Sequence, residues 1–235
     1  MTGETIIALD FGSVEQTLAF LDLFRDEPEK PFVKVGMELF YSAGPEIVRE
    51  IKKRGHKIFL DLKLYDIPNT VKKAMRALSR LDVDIVNLHA AGGSRMMREA
   101  IEGLTRPDGS RPLLIAVTIL TSTSGETLRE EMLIPTPMEQ TIASYAKMGA
   151  EAGLDGVVCS PLEASGVKEA CGKDFITVTP GVRFADSAKD DQVRITTPAR
   201  ARELGSDFIV VGRPITEAPD PVSAYRRCQN EFKQI

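Results

Sequence analysis

The sequence predicts a closed (β/α)8 barrel, an eight-stranded parallel sheet wrapped by outer helices. Three observations predict it. Short apolar runs bounded by turn residues alternate with amphipathic stretches along the whole chain. Eight such runs occur in 235 residues, close to the roughly 250 that a barrel of this kind uses. Polar and charged residues recur where the apolar runs end, on the side of a barrel where sites are built. An open doubly wound sheet is the alternative. It normally carries a G-x-G-x-x-G turn after its first strand, whereas here Asp10-Phe-Gly-Ser follows.

The strands are expected at Thr5–Leu9, Phe32–Val35, Lys57–Lys63, Asp84–His89, Leu113–Leu120, Gly156–Cys159, Phe175–Thr179 and Phe208–Val211. Between them the helical period marks Val14–Arg25, Glu38–Arg54, Asn69–Leu81, Ser94–Leu104, Met138–Gly149, Leu162–Ala170 and Thr197–Leu204, and Pro221–Phe232 closes the chain. Strict β-then-α alternation implies parallel strands with helices outside. With no linker or low-complexity tract, residues 1–235 are expected to form one domain. Polar strand ends read as inward place Ala8, Phe32 and Phe59 inside the barrel. Their flanks, Leu9, Val33, Val35 and Leu60, then face the helices.

Composition narrows the function. With a net charge of −4 there is no basic surface for nucleic acid or an anionic membrane. No apolar run approaches the roughly 20 residues that span a bilayer, and MTGETIIALD is not a signal peptide. Cys159, Cys171 and Cys228 are odd in number and not at zinc spacing, which points to a reduced, cytoplasmic setting. Two histidines argue against a histidine-based metal site or triad. No acidic cluster has the pattern of a Mg²⁺ site.

The stretch Asp61–Thr70, DLKLYDIPNT, is the richest in chemistry. Residues two apart on a strand share a face, so Asp61 and Lys63 point together while Leu62 and Leu64 point away. Pro68 ends the strand, which leaves Asp66 in the loop beyond its tip. Two carboxylates and an ammonium at a buried strand end form either a structural ion-pair cluster or a site. Other strand ends supply Asp10, Lys34, Asn87, His89 and Thr121. After strands seven and eight, Gly181 and Arg183 and then Gly212 and Arg213 suit a phosphate: glycines admit backbone N–H groups and arginines bind in bidentate fashion. The long connections 122–137 and 183–195 read as lids beside that phosphate. His56 precedes strand three and is expected to be structural, His89 to support the site, and Cys159 to fill the core. Glu130 and Glu131 are expected to be solvated lid charges.

A lysine beside carboxylates suits a cation that stabilises developing negative charge and then gives up a proton, rather than a Schiff base. The residues therefore describe an enzyme acting on a phosphorylated small molecule through a carbanion-like species, with Lys63 as acid.

The run DLKLYDIPNT, with ALDF, PFVKVG, LTSTS, TPGVR, DDQVR and VGRPIT in order along the chain, resembles the bacterial type of the orotidine 5′-phosphate decarboxylase family. The resemblance implies decarboxylation to UMP and CO₂, the last step of de novo pyrimidine synthesis, with no cofactor and no metal. It implies Lys63 as proton donor to C6 and Asp61 beside the substrate carboxylate. Asp66 and Thr70 would reach the neighbouring subunit's site in a homodimer. Asp10 and Lys34 would contact the ribose within the charged network, and Thr121 would begin the loop over the pyrimidine. Gln192, Gly212 and Arg213 would grip the phosphate, and Arg183 would add a contact from the lid. A Mg²⁺-dependent sugar-phosphate decarboxylase or synthase on the same barrel, and a non-catalytic nucleotide-phosphate binder, are the alternatives.

Overall fold

The computed structural model describes residues 3–186 and 196–233. Among them lie β1 (Glu4–Ala8), β2 (Phe32–Gly36), β3 (Ile58–Leu64), β4 (Ile85–His89), β5 (Leu113–Val117), β6 (Gly156–Val158), β7 (Ile176–Thr179) and β8 (Phe208–Val211). They pair in chain order, all parallel, and β1 closes on β8. The helices are α1 (Val14–Asp22), α2 (Met37–Ala43), α3 (Glu46–Lys53), α4 (Pro68–Leu78), α5 (Gly93–Leu104), α6 (Gly125–Glu130), α7 (Met138–Ala152), α8 (Ala164–Cys171), α9 (Pro198–Glu203), α10 (Arg213–Thr216) and α11 (Pro221–Lys233). This is the expected (β/α)8 barrel.

Alternation along the strands produces two apolar layers. Ile6, Phe32, Phe59, Ile85, Ile115 and Phe208 fill the barrel, with the rings of Phe32 and Phe208 meeting edge to face at 6.0 Å. Ile7, Leu9, Val33, Val35, Leu60 and Leu62 face outward and pack with helix residues such as Phe20, Phe24, Val71 and Met75. Each such side chain contributes roughly 1.5–3 kcal/mol by leaving water. Phe32 and Phe59 thus lie inside as expected, while Ala8 lines a cavity at the rim.

Three departures from expectation have a visible physical cause. The single helix expected over Glu38–Arg54 is two, because Gly44 turns the chain at φ +66 and Pro45 has no N–H to continue it. Strand five ends at Val117 rather than Leu120. Its partner β6 has only three residues, so beyond the Val117–Val158 pair the ladder has no neighbour to extend on. The connection 122–137 contains α6, capped by Ser124 through the N–H of Thr127. Glu130 lies exposed on it against Arg129. Most of the second long connection lies outside the described residues.

At the N-terminal end of the barrel one device recurs. Asp84, Asp155 and Asp207, each just before a strand, accept the N–H of Ile58, Leu114 and Thr177 at 2.7, 2.7 and 2.8 Å. Each also pairs with a cation, Lys52, Arg111 and Lys168 respectively. His56 belongs to the same end. It is buried, and its Nδ1 donates to the Pro31 carbonyl at 2.8 Å. Cys159 is fully buried in the outer core.

Burial holds the His56 pKa below the usual range, with Lys30 and Arg54 adding to it and the Pro31 bond opposing. The unfolded chain gains a proton near pH 6.5 that folded His56 resists, so stability falls as the pH drops through that value. Each tenfold weakening of proton binding is worth about 1.4 kcal/mol. His56→Gln should therefore narrow the difference in Tm between about pH 7.5 and pH 5. An undiminished difference in calorimetry would show that His56 does not carry it.

Candidate active site

The C-terminal ends of β1, β2, β3 and β4 converge on one buried carboxylate. Asp61 on β3 accepts the Lys63 ammonium at 2.7 Å on Oδ1. Asn87 Nδ2, from β4, donates to the same oxygen at 2.7 Å. Lys34, from β2, stands 3.6 Å from Oδ2. Lys34 also donates to Asp10, just past β1, at 2.9 Å. The side chains of Lys34 and Asp61 are each 11% exposed, and that of Asp10 is 63% exposed. Burial works to raise the Asp61 pKa. Lys34, Lys63 and the hydrogen bonds from Lys63 and Asn87 outweigh it and hold the carboxyl below its usual range.

Alternation alone does not describe β3. Lys63 takes φ +50, and the register against β4 shifts between Leu60 and Leu64. A bulge of this kind re-aims a side chain and is common beside active sites. Leu62 still packs on the helix side. Asp66 departs from the spacing argument. It lies exposed in the loop, accepts the N–H of Ile67 at 2.6 Å, and makes no ion pair with Lys63 within the chain. Among the described residues Lys63 therefore meets one carboxylate, not two. Thr70, in the first turn of α4, is exposed near Asp66.

Two cavities open on this cluster. One, of about 180 Å³, is lined by Lys34, Phe59, Asp61, Lys63, Ile119 and Thr121 among others. The other, of about 290 Å³, is lined by Asp10, Lys34, Gly181, Arg183, Gly212 and Arg213 among others. Lys34, Pro180 and Val210 border both, so the two are neighbours along one groove. One end holds the acid–lysine cluster, with Phe59 in its lining. The other holds two arginines and two backbone turns, and suits an anion. A larger cavity, about 690 Å³, lies between the β5 loop, α7 and α8. Its lining carries Glu139, Glu163 and Glu169 and no lysine or arginine, so an anion would be repelled there. Gln192 lies outside the described residues. Among those described, no group of three or more His, Cys, Asp or Glu side chains could hold a metal ion.

His89, at the end of β4, lies with its ring centroid 6.0 Å from that of Tyr65. Burial and then Lys63 push its pKa down against the pull of Asp61.

A sequence profile of the orotidine 5′-phosphate decarboxylase/HUMPS family matches residues 4–228. The chain belongs to that family. The orotidine 5′-phosphate decarboxylase of Bacillus mycoides strain KBAB4 is 55% identical to it over 238 residues, covering 100% of this chain and 99% of that protein. A crystal structure of orotidine 5′-phosphate decarboxylase from Lactobacillus acidophilus superposes with a TM-score of 0.88 at 45% identity, covering 99% of this chain and 100% of that one. An uncharacterised conserved protein from Geobacillus kaustophilus superposes with a TM-score of 0.86 at 50% identity, covering 97% and 99%. Identity of this extent over whole chains makes the protein a decarboxylase of that family.

Sequence reasoning passed over Gly36. A Cβ there would lie 3.1 Å from Lys34 Nζ and 3.4 Å from Asp10 Oδ1. The signal was available: Gly36 is two residues from Lys34 and therefore on its face. Its φ of −86 suits any residue, so the constraint is space alone. Gly36→Ala should keep the fold and displace the Lys34 ammonium by a few tenths of an ångström, lowering kcat/KM on the order of tenfold. Parent-like kcat/KM would show that Lys34 has room to yield.

Proposed function

We propose that this chain converts orotidine 5′-phosphate to UMP and CO₂, the last step of de novo pyrimidine synthesis, without a cofactor. The observation that carries the reading is the Lys63 ammonium, held 2.7 Å from Asp61 at one end of a groove whose other end presents Arg183 and Arg213. Loss of CO₂ leaves an electron pair in the plane of the pyrimidine at C6, where the ring π system does not delocalise it. A fixed ammonium stabilises that charge, the more so in a site that excludes water, and then donates its proton to C6. In this reading Asp61, anionic and buried, stands against the departing carboxylate. The phosphate end supplies remote binding energy that the reacting end can use. Asp10 and Lys34 then contact the ribose, and Thr121 lies at the pyrimidine end. Gln192, Gly212 and Arg213 hold the phosphate, with Arg183 beside them.

The active unit in this reading is a cytoplasmic homodimer in which Asp66 and Thr70 complete the partner's site. Supporting it, Tyr65 and Ile67, on either side of Asp66, are 63% and 67% exposed, apolar groups of the kind that interfaces cover. All three cysteines are free, as reducing surroundings keep them. No helix among the described residues is long and apolar enough to cross a membrane.

Decarboxylation removes a carboxylate conjugated to the pyrimidine, so ultraviolet absorbance follows it directly. The purified protein should turn over orotidine 5′-phosphate in excess EDTA, while Lys63→Ala should lose at least about 10³-fold in kcat with the fold intact. Turnover by Lys63→Ala would sink the proposed role of the lysine, and turnover only with Mg²⁺ would sink the cofactor-free reading.

Mixing tests the shared site. Lys63→Ala and Asp66→Ala homodimers should each be nearly inactive. After subunit exchange of equal amounts, half the dimers are mixed and each has one intact site, so the mixture should recover about a quarter of parent activity. No recovery, with exchange verified, would place Asp66 outside the partner's site.

A further inference from the structure

Asn87 is fully buried, on β4, beside the cluster that the proposed chemistry uses. Its amide makes two bonds to β3. Nδ2 donates to Asp61 Oδ1 at 2.7 Å, and Oδ1 accepts the backbone N–H of Lys63 at 2.8 Å. The orientation is fixed by chemistry, because the reverse would face oxygen to carboxylate and N–H to N–H. The second bond falls on the residue at φ +50, inside the stretch where the β3–β4 register shifts. A left-handed non-glycine residue costs roughly 1–3 kcal/mol and persists only where its surroundings hold it. The backbone N–H of Lys63, taken out of the regular ladder, finds its acceptor in this side chain.

We propose that Asn87 is the positioning residue of this site: one amide holds the Asp61 carboxylate and the turned backbone of Lys63 in a single geometry, so that the ammonium is presented to the groove. An amide supplies a donor to the anion and an acceptor to the N–H from two separate atoms, a span that a single hydroxyl oxygen lacks. A carboxylate supplies only the second, and an alkyl group supplies neither. The inference rests on the proposed roles of Lys63 and Asp61.

Asn87→Asp and Asn87→Ala separate the two bonds. Asn87→Asp keeps the acceptor for Lys63 N–H but sets a second carboxylate against Asp61. The charged groups facing that carboxylate are Lys34 from β2, Lys63 from β3, His89 on β4 and, through Lys34, Asp10 beyond β1. The proton that two adjacent carboxylates share should move the acid limb of the kcat/KM profile up by about one pH unit. Asn87→Ala frees the Lys63 backbone and should lower kcat on the order of 10²-fold without that shift. UMP affinity, measured by titration calorimetry, should stay within about threefold in both, because the phosphate end is untouched.

Parent and Lys63→Ala enzymes run alongside. An active parent with an inactive Lys63→Ala enzyme upholds the reading on which this one rests. If kcat of both Asn87 variants then lies within about threefold of the parent, the positioning role is wrong. Loss of UMP affinity in step with kcat would also overturn it, by making Asn87 a binding residue. So would failure of both variants to give the parent's circular dichroism spectrum, since Asn87 would then serve the fold and not the site.

Discussion

The ionised carboxylate of Asp61, buried among three strands, is the constraint on which the rim of this barrel depends. Removing such a charge from water costs several kcal/mol after relaxation, and only close partners offset it. Here the partners come from β2, β3 and β4: Lys34, Lys63 and Asn87. Strand register brings them together. Gly36 of β2 lies opposite Asp61, which sets Lys34 diagonally from the carboxylate. A slip of one residue would turn Asp61 into the helix-side layer and carry Leu60 and Leu62 into the barrel. The apolar pattern that fixes register in the core therefore also fixes the electrostatics of the site.

The two ends of the barrel divide the work. At the N-terminal end, Asp84, Asp155 and Asp207 each have a backbone N–H and a cation to satisfy them, and those contacts look inward to the fold. At the C-terminal end the charges are less completely enclosed. The Lys63 side chain is 25% exposed and borders an open cavity, and Asp10 is largely exposed. Carboxylates occupy both ends, so charge alone does not mark the site. What marks it is charge beside empty space, with a second cation-lined cavity adjoining.

Much of this was legible in the sequence. The eight strands, the layer each flanking residue joins, and the convergence of Asp10, Lys34, Asp61 and Lys63 follow from period-two patterning and from the rule that barrel sites lie at strand ends. What escaped depended on a neighbour in space. The β5 strand stops where the shorter β6 gives out, which no reading of LLIAVTIL reveals. The bulge at Lys63 exists in the pairing of β3 with β4. Asn87 stood among the strand-end residues without a role, because its role is defined by atoms of β3. Spacing groups Asp66 with Asp61 and Lys63, yet the chain turns it outward.

That outward turn and the incomplete enclosure of Lys63 bear on each other. Among the described residues the ammonium has a single carboxylate partner and an exposed flank, while Asp66 accepts the N–H of Ile67 in its own loop. A chain meant to act alone would gain from folding Asp66 back onto Lys63, since the spacing permits a loop of that length. Instead the loop displays Tyr65 and Ile67 on either side of Asp66, apolar groups whose exposure is unfavourable unless something covers them. A second copy, presenting the same loop in return as a two-fold interface requires, would cover that surface and bring a carboxylate to each lysine. The assembly proposed above would remove both deficits of the single chain with one contact.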